Sequence, residues 1–296
     1  MIAAEAFAPT EAFSTGSDRA EPSDRTLLAA GLSLLRRHET VAAKRLLLYG
    51  CRLAPASADA WHALGLALVR NGEFGDAEAA FAEAERLGCS TVELALARVN
   101  AAVRAGTADA ELDRLAVRSL ADPFDAVALT ARGVLLSRLG RGAEGIDLLE
   151  AAVALAPSEV GPAIELANAL MHTDRTREAE ASLARAIALA PRQWMLRNNR
   201  AVILMRSQRF EEARDELQAL ITANGEEPGL LCNLSNVLNA LGEQDAGVST
   251  ARRATELVPD MHLAWRSLLN ALAYRSGVDG ATMRQTAERA SECILR

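Results

Sequence analysis

The sequence predicts an all-α protein built as an α-solenoid of stacked helix–turn–helix units. Three observations carry this expectation. The chain repeats with a period of 34 residues, each period holds two amphipathic faces, and small residues recur where those faces would meet. Alanine and leucine dominate, half of the residues are apolar and only 4% are aromatic, a balance that favours helices over a β-sandwich or barrel.

Taking repeats to start at 24, 58, 92, 126, 160, 194, 228 and 262 brings like residues into columns. Position 8 holds Gly31, Gly65, Gly133, Ala167, Ala201 and Ser235. Position 11 holds Leu34, Leu68, Ala102, Leu136, Leu170, Leu204, Leu238 and Leu272. Position 20 holds Ala43, Ala77, Gly145, Ala179, Ala213 and Gly247, and position 24 holds Leu47, Phe81, Leu115, Leu149, Leu183, Leu217 and Ala251. Positions 4, 7, 8 and 11 share one face of a first helix, and positions 20, 24 and 27 share one face of a second. Small residues at 8 and 20 let the two helices approach, and a bulky residue there would overpack the contact. Turn residues near position 15, such as Gly106 and Gly140, separate the helices. Prolines 55, 123, 157, 191 and 259, at position 32, end the second helix because proline lacks the amide proton.

The expected organisation follows from the columns. Residues 1–23 carry Pro, Ser, Thr, Gly and acidic residues without periodicity and are expected to be disordered. Residues 24–261 form seven units. The third is degenerate: Arg98 stands at an apolar position, Glu111 at a small one and Arg118 in place of alanine, which suggests a softer joint. Residues 262–296 hold a partial eighth unit, from His262 to about Tyr274, a break at Ser276–Gly280 and a helix from about Ala281 to Leu295. This end serves as a cap or as a linker to a further domain.

Trp61-x2-Leu64-Gly65-x2-Leu68 followed by Ala77-x3-Phe81 resembles the tetratricopeptide repeat, with Leu in place of the usual Tyr, over about residues 24–272. The resemblance implies a right-handed superhelix whose first helices line a concave groove at positions 2, 5, 6, 9, 12 and 13. It implies a protein partner held there as an extended segment.

Three features fall on those positions. Position 13 carries a basic row, Arg36, Arg70, Arg104, Arg138, His172 and Arg206, suited to an acidic ligand and equally to complementing helix C-termini. Asparagines 100, 168, 198, 199, 233, 236, 239 and 270 lie on the same helices, where helix propensity does not select them. Of these, Asn100, Asn168, Asn199, Asn233, Asn236 and Asn270 are the candidate contacts to a bound backbone, because an amide both donates and accepts. Hydrogen bonding between neighbouring helices is the other reading. The third feature is an apolar stripe, Leu32, Leu35, Leu66, Val69 and Val103, with Met171 and Met205 later, which fits core as well as ligand.

Cys232-Asn-Leu-Ser-Asn-Val-Leu238, and the tail from Arg266 to Tyr274 with Gly277, resemble the repeat arm of bacterial O-linked N-acetylglucosamine transferase-like (SPINDLY-type) enzymes. That resemblance implies an arm recognising an acceptor protein such as flagellin or another surface protein. The chain ends at Arg296, before any nucleotide-sugar domain. The alternatives are a stand-alone adaptor or scaffold and a self-associating module.

Catalytic apparatus is not expected. His38, His62, His172 and His262 form no metal-binding pair, Cys51, Cys89, Cys232 and Cys293 form no CxxC, and no GxSxG or phosphate-binding glycine loop occurs. No cofactor or metal is therefore expected. A net charge of −7 disfavours nucleic acid as partner. No apolar run reaches membrane-spanning length, Glu5 interrupts the short apolar start, and scattered thiols fit a reducing cytoplasm.

Overall fold

The computed structural model describes residues 24–37 and 39–295, so the expected disordered segment 1–23 and His38 lie outside the described residues. Sixteen helices and no strand occur among the described residues. The chain divides into two compact units, Met1–Ala156 and Pro157–Arg296.

In the first unit the leading helices are α1 (Asp24–Arg36), α3 (Ala58–Arg70), α5 (Val92–Ala105) and α7 (Ala126–Arg138). The trailing helices are α2 (Thr40–Leu53), α4 (Phe74–Arg86), α6 (Ala108–Ala121) and α8 (Gly142–Leu155). The second unit has leading helices α9 (Val160–His172), α11 (Trp194–Arg206), α13 (Pro228–Ala240) and α15 (His262–Tyr274). Its trailing helices are α10 (Thr176–Leu189), α12 (Phe210–Asn224), α14 (Gln244–Leu257) and α16 (Gly280–Leu295). Most trailing helices stop two residues before the position-32 proline, because the residue preceding proline is pushed out of helical geometry.

The small columns do what their spacing predicts. A Cβ on Gly65 would lie 2.4 Å from the Phe81 ring, and one on Gly31 would lie 2.5 Å from Leu47. A Cβ on Gly133 would meet both Leu149, at 2.7 Å, and the Gly145 carbonyl oxygen, at 2.8 Å. Position 8 therefore packs onto position 24 of the same hairpin at backbone distance. Position 15 takes left-handed backbone in the hairpin turns of repeats two to seven: Gly72, Gly106, Gly140 and Gly242 supply it freely, while Asp174 (φ 58°) and Gln208 (φ 61°) adopt it with a Cβ.

Neighbouring repeats are joined by contacts that recur at fixed positions. Lys44 donates to Glu73 at 2.7 Å, Thr107 to Glu78 at 2.6 Å, Arg209 to Glu180 at 2.8 Å and Arg214 to Glu243 at 3.4 Å. Each pairs position 21 of one trailing helix with position 16 of the next repeat. The indoles of Trp61 and Trp265, both at position 4, donate to the carbonyls of Pro55 and Pro259 at 2.9 and 2.6 Å.

The third hairpin departs from the pattern in a concerted way. With Val99 and Glu111 where small residues belong, α5 and α6 make the sparsest hairpin contact of the stack. The space is filled by ions. Glu111, 4% exposed, accepts from Arg98 at 3.1 Å and from Arg114 at 2.7 Å. Glu85 of α4 accepts from Arg98 (3.0 Å), Arg114 (3.2 Å) and Arg118, and Arg118 also holds Asp125 at 2.7 Å. The residues expected to soften this joint form a paired ionic core that ties α4, α5 and α6 to the start of α7.

Candidate functional site

Within each unit, the backbones of leading helices approach their successors while those of trailing helices stay further apart: α1–α3, α3–α5 and α5–α7 touch in the first, α11–α13 and α13–α15 in the second. Closer spacing of the leading helices makes their free side the inner face of each unit. That face is built by positions whose side chains point away from the trailing helix.

The exception to close spacing is α9 with α11, which scarcely touch. This seam is left underfilled. A cleft of about 220 Å³ opens along it, lined by Ala167, Met171, Leu183, Val202 and Ile203, with Asn168, His172, Asn199 and Arg206 among its walls. Leu183 and Ile203 are buried and form an apolar floor, whereas Asn168, His172 and Arg206 are exposed. Four of the twelve candidate residues therefore converge on one place. Arg206 is held by Asp174 at 3.1 Å, but that carboxylate is almost fully exposed, so the pair is weak and exchangeable.

The remaining candidates have different surroundings. Asn233 donates to Asn198 at 2.8 Å, an amide pair joining α11 to α13. Asn236 is half-buried on the same helix as Asn233, and Asn270 is exposed on α15. Asn168 donates to Glu165 at 3.5 Å, within its own helix. In the first unit Asn100 accepts from Arg138 at 3.4 Å.

The basic row reaches back along the stack. Arg70 donates to the Leu35 carbonyl, Arg104 lies 4.6 Å over the Phe74 ring and Arg138 bonds Asn100. Arg36 sits exposed in the last turn of α1. These arginines have structural work at the ends of their helices, complementing C-terminal carbonyls and fastening adjacent turns.

Position 12, expected to face the groove, is divided: Met171 lines the cleft and Val103 is exposed, while others join the helix contacts. Leu35 is 4% exposed, and the Asn239 amide oxygen is buried against α14, where a Cβ on Gly247 would lie 2.2 Å from it. Of the apolar stripe, Leu66 and Val69 are half-buried against the core, whereas Leu32 and Val103 are exposed.

The tetratricopeptide-repeat family profile matches residues 28–88 and 164–228. These two segments are tetratricopeptide repeats. The cleft lies within the second of them. No curated protein matches the sequence. Among solved structures, the fold is similar to a tetratricopeptide repeat protein of Parabacteroides merdae ATCC 43184, at 15% identity and TM-score 0.53, covering 90% of this chain and 98% of that one. It is similar to a chain of the APC/C hetero-tetramer Cut9–Hcn1, at 14% identity and TM-score 0.59, covering 92% of this chain and 53% of that one, so this chain spans about half of that protein's length. TTC0263 of Thermus thermophilus, a thermophilic tetratricopeptide-repeat protein, is 21% identical with TM-score 0.50, covering 62% of this chain and all of that one. At these identities the likeness is one of fold.

Reactive groups do not gather at the cleft. Burial pushes the Cys51 thiol up to about 12 and raises that of Cys232, so both stay protonated and poorly nucleophilic near neutrality. No group of three His, Cys, Asp or Glu side chains is placed to share a metal among the described residues. No described helix is long and apolar enough to cross a membrane.

Proposed function

We propose that this chain is a protein-interaction module that holds an extended partner segment along the leading helices of residues 157–296, seated at the α9–α11 cleft. The observation that carries the reading is the convergence of Asn168, His172, Asn199 and Arg206 over an apolar floor. An extended segment places side chains alternately, so one apolar residue enters the cleft while its backbone amides meet Asn168 and Asn199. Arg206, exchanging Asp174 for a ligand carboxylate, selects an acidic residue or chain end. Asn236 and Asn270 continue the amide surface, while Asn233 holds α11 and α13 in register through Asn198. The arginines of the first unit contribute positive potential and packing.

Within this reading we propose that the partner is an acceptor protein presented to a glycosyltransferase, in the cytoplasm. Support comes from the Cys232–Leu238 run and the tail that resembles the repeat arms of such enzymes. Capture of partners by the intact chain, followed by mass spectrometry, tests both levels. Asn168→Ala with Asn199→Ala should remove the captured protein while leaving the melting temperature almost unchanged. Retention at unchanged yield rejects the cleft. Capture that depends on the cleft but brings down only unglycosylated assembly partners rejects the acceptor role and leaves an adaptor.

A further inference from the structure

A second surface lies on the first unit, on the trailing helix of the degenerate repeat. Val117 and Leu120 of α6 are 67% and 79% exposed, and Phe124 in the turn that follows is 76% exposed. Val117 and Leu120 are three residues apart and therefore neighbours on the helix surface, with Phe124 just beyond its end. These are positions 26, 29 and 33 of the repeat. The equivalent residues elsewhere are small, polar or charged with one exception: Glu83, Arg86 and Ser90 in the second repeat, Arg253, Glu256 and Asp260 in the seventh. Tyr49 of the first is alone. An apolar triple is thus not demanded by the fold, which hides its own apolar residues at positions 20, 24 and 27.

The surface is also rigidly presented. The Asp122 carboxylate accepts from the Phe124 amide at 3.0 Å, the Asp125 amide donates to the Asp122 carbonyl at 3.2 Å, and the Asp125 carboxylate is clamped by Arg118. A side chain held in a fixed turn loses little entropy on binding. The exposed charges of α6 and the turn after it have one sign. They are Asp109, Asp113 and Asp122, whereas the only cations of α6, Arg114 and Arg118, turn inward to Glu85, Glu111 and Asp125.

We propose that the outer face of α6 and the turn after it form a docking site for an amphipathic partner segment whose apolar spine is flanked by lysine or arginine. Charge complementarity selects this occupant: the aspartates attract basic flanks as the apolar triple takes the spine. A second copy of this chain is disfavoured, because pairing two α6 faces would bring aspartates together as their surroundings dehydrate. The site is independent of the α9–α11 cleft.

Full-length chain with a photo-crosslinking phenylalanine analogue at position 124, expressed in its source cells, tests the idea when the joined peptide is mapped by mass spectrometry. The expected result is one partner joined through an apolar segment with at least two basic residues within a helical turn. Its yield should drop about tenfold in Leu120→Ser, about 1.4 kcal/mol of binding, and fall measurably in Asp113→Asn, with helical circular dichroism unchanged in both. Joining to a second copy or to an acidic segment would overturn the proposal. So would a yield no higher than from the same analogue at exposed Asp147, or one indifferent to Leu120→Ser.

Discussion

In residues 24–156 the leading helices α3, α5 and α7 each begin with a side-chain cap, Ser57, Thr91 or Asp125, and the hairpin turns use Gly72, Gly106 and Gly140. In residues 157–296 the flanking residues Glu159, Gln193, Glu227 and Met261 make no such cap, and two of the four hairpin turns hold Asp174 and Gln208 in left-handed backbone. Each missing cap forgoes about 1 kcal/mol. Each non-glycine left-handed residue costs roughly 1–2 kcal/mol, less for aspartate, whose short side chain tolerates the conformation. The same repeat is locally reinforced in one region and locally deprived in the other. The deprived region carries most of the asparagines and the open α9–α11 seam, both of which also lower packing and helix propensity. Residues suited to the proposed binding face are poor choices for a stable helix, and the difference is the mark such a compromise would leave.

The largest test of this contrast concerns its two buried carboxylates. Glu111→Ala should destabilise by about 3 kcal/mol, because the largely buried Arg98 and Arg114 would keep as counter-charge only Glu85, which Arg118 already shares. Glu216→Ala should cost clearly less, since its partners Arg197 and Arg200 keep 37% and 35% of their side-chain surface in water and can rehydrate. Denaturant titrations giving equal losses would show that burial of the arginines does not set the cost.

Next in size is Gly133→Ala, expected to cost about 1–3 kcal/mol, since its Cβ would meet the Gly145 carbonyl that cannot move without the helix. Arg138→Ala, one turn later and exposed, should be near neutral. Similar melting shifts for the two would refute the assigned register.

Caps and turns follow. Ser57→Ala should lose about 1 kcal/mol, whereas Gln193→Ser and Gln208→Gly should each raise stability by roughly 0.5–1 kcal/mol. If the two additions leave the melting temperature where it was, the second region is not short of local stabilisation.

The smallest effect is a pH dependence of the first region. Burial lowers the pKa of His62, against the acidic pull of Asp59 and Glu93, below its ordinary 6.5. The unfolded chain then binds the proton more readily. The contribution of this histidine to stability is full above about pH 6.5 and declines as acid is added. His62→Gln should flatten that part of the stability profile, and an unaltered slope would assign the acid sensitivity elsewhere.

Much of the fold was legible in the sequence. Which residues would be leading or trailing, where glycine would touch Leu47, Phe81 and Leu149, and where the turns would fall all follow from helical periodicity and residue size. The site was legible in part. Asn168, His172, Asn199 and Arg206 could be assigned to one kind of face, but the seam between α9 and α11 could not be seen, because its width depends on how two helices settle over α10. Asn198 and Asn239 shared the residue type of the proposed binding amides, but Asn198 pairs with Asn233 and Asn239 packs against α14. The exposed triple of Val117, Leu120 and Phe124 had a signal that was overlooked: three apolar residues in columns where other repeats are mostly polar or small.

By itself the sequence determined the 34-residue period, the two helices of each repeat and the residues at each hairpin's closest approach, since these depend on dihedral preference and on side chains within one turn or one hairpin. The tertiary structure alone decided what meets across repeats. Lys44 pairs with Glu73 and Arg209 with Glu180, each 29 residues apart. Arg98, Arg114 and Arg118 become one paired ionic core, and α9 and α11 leave an open cleft between them. Such contacts turn on ångström differences in helix spacing, and spacing is a property of the packed stack that no single repeat contains.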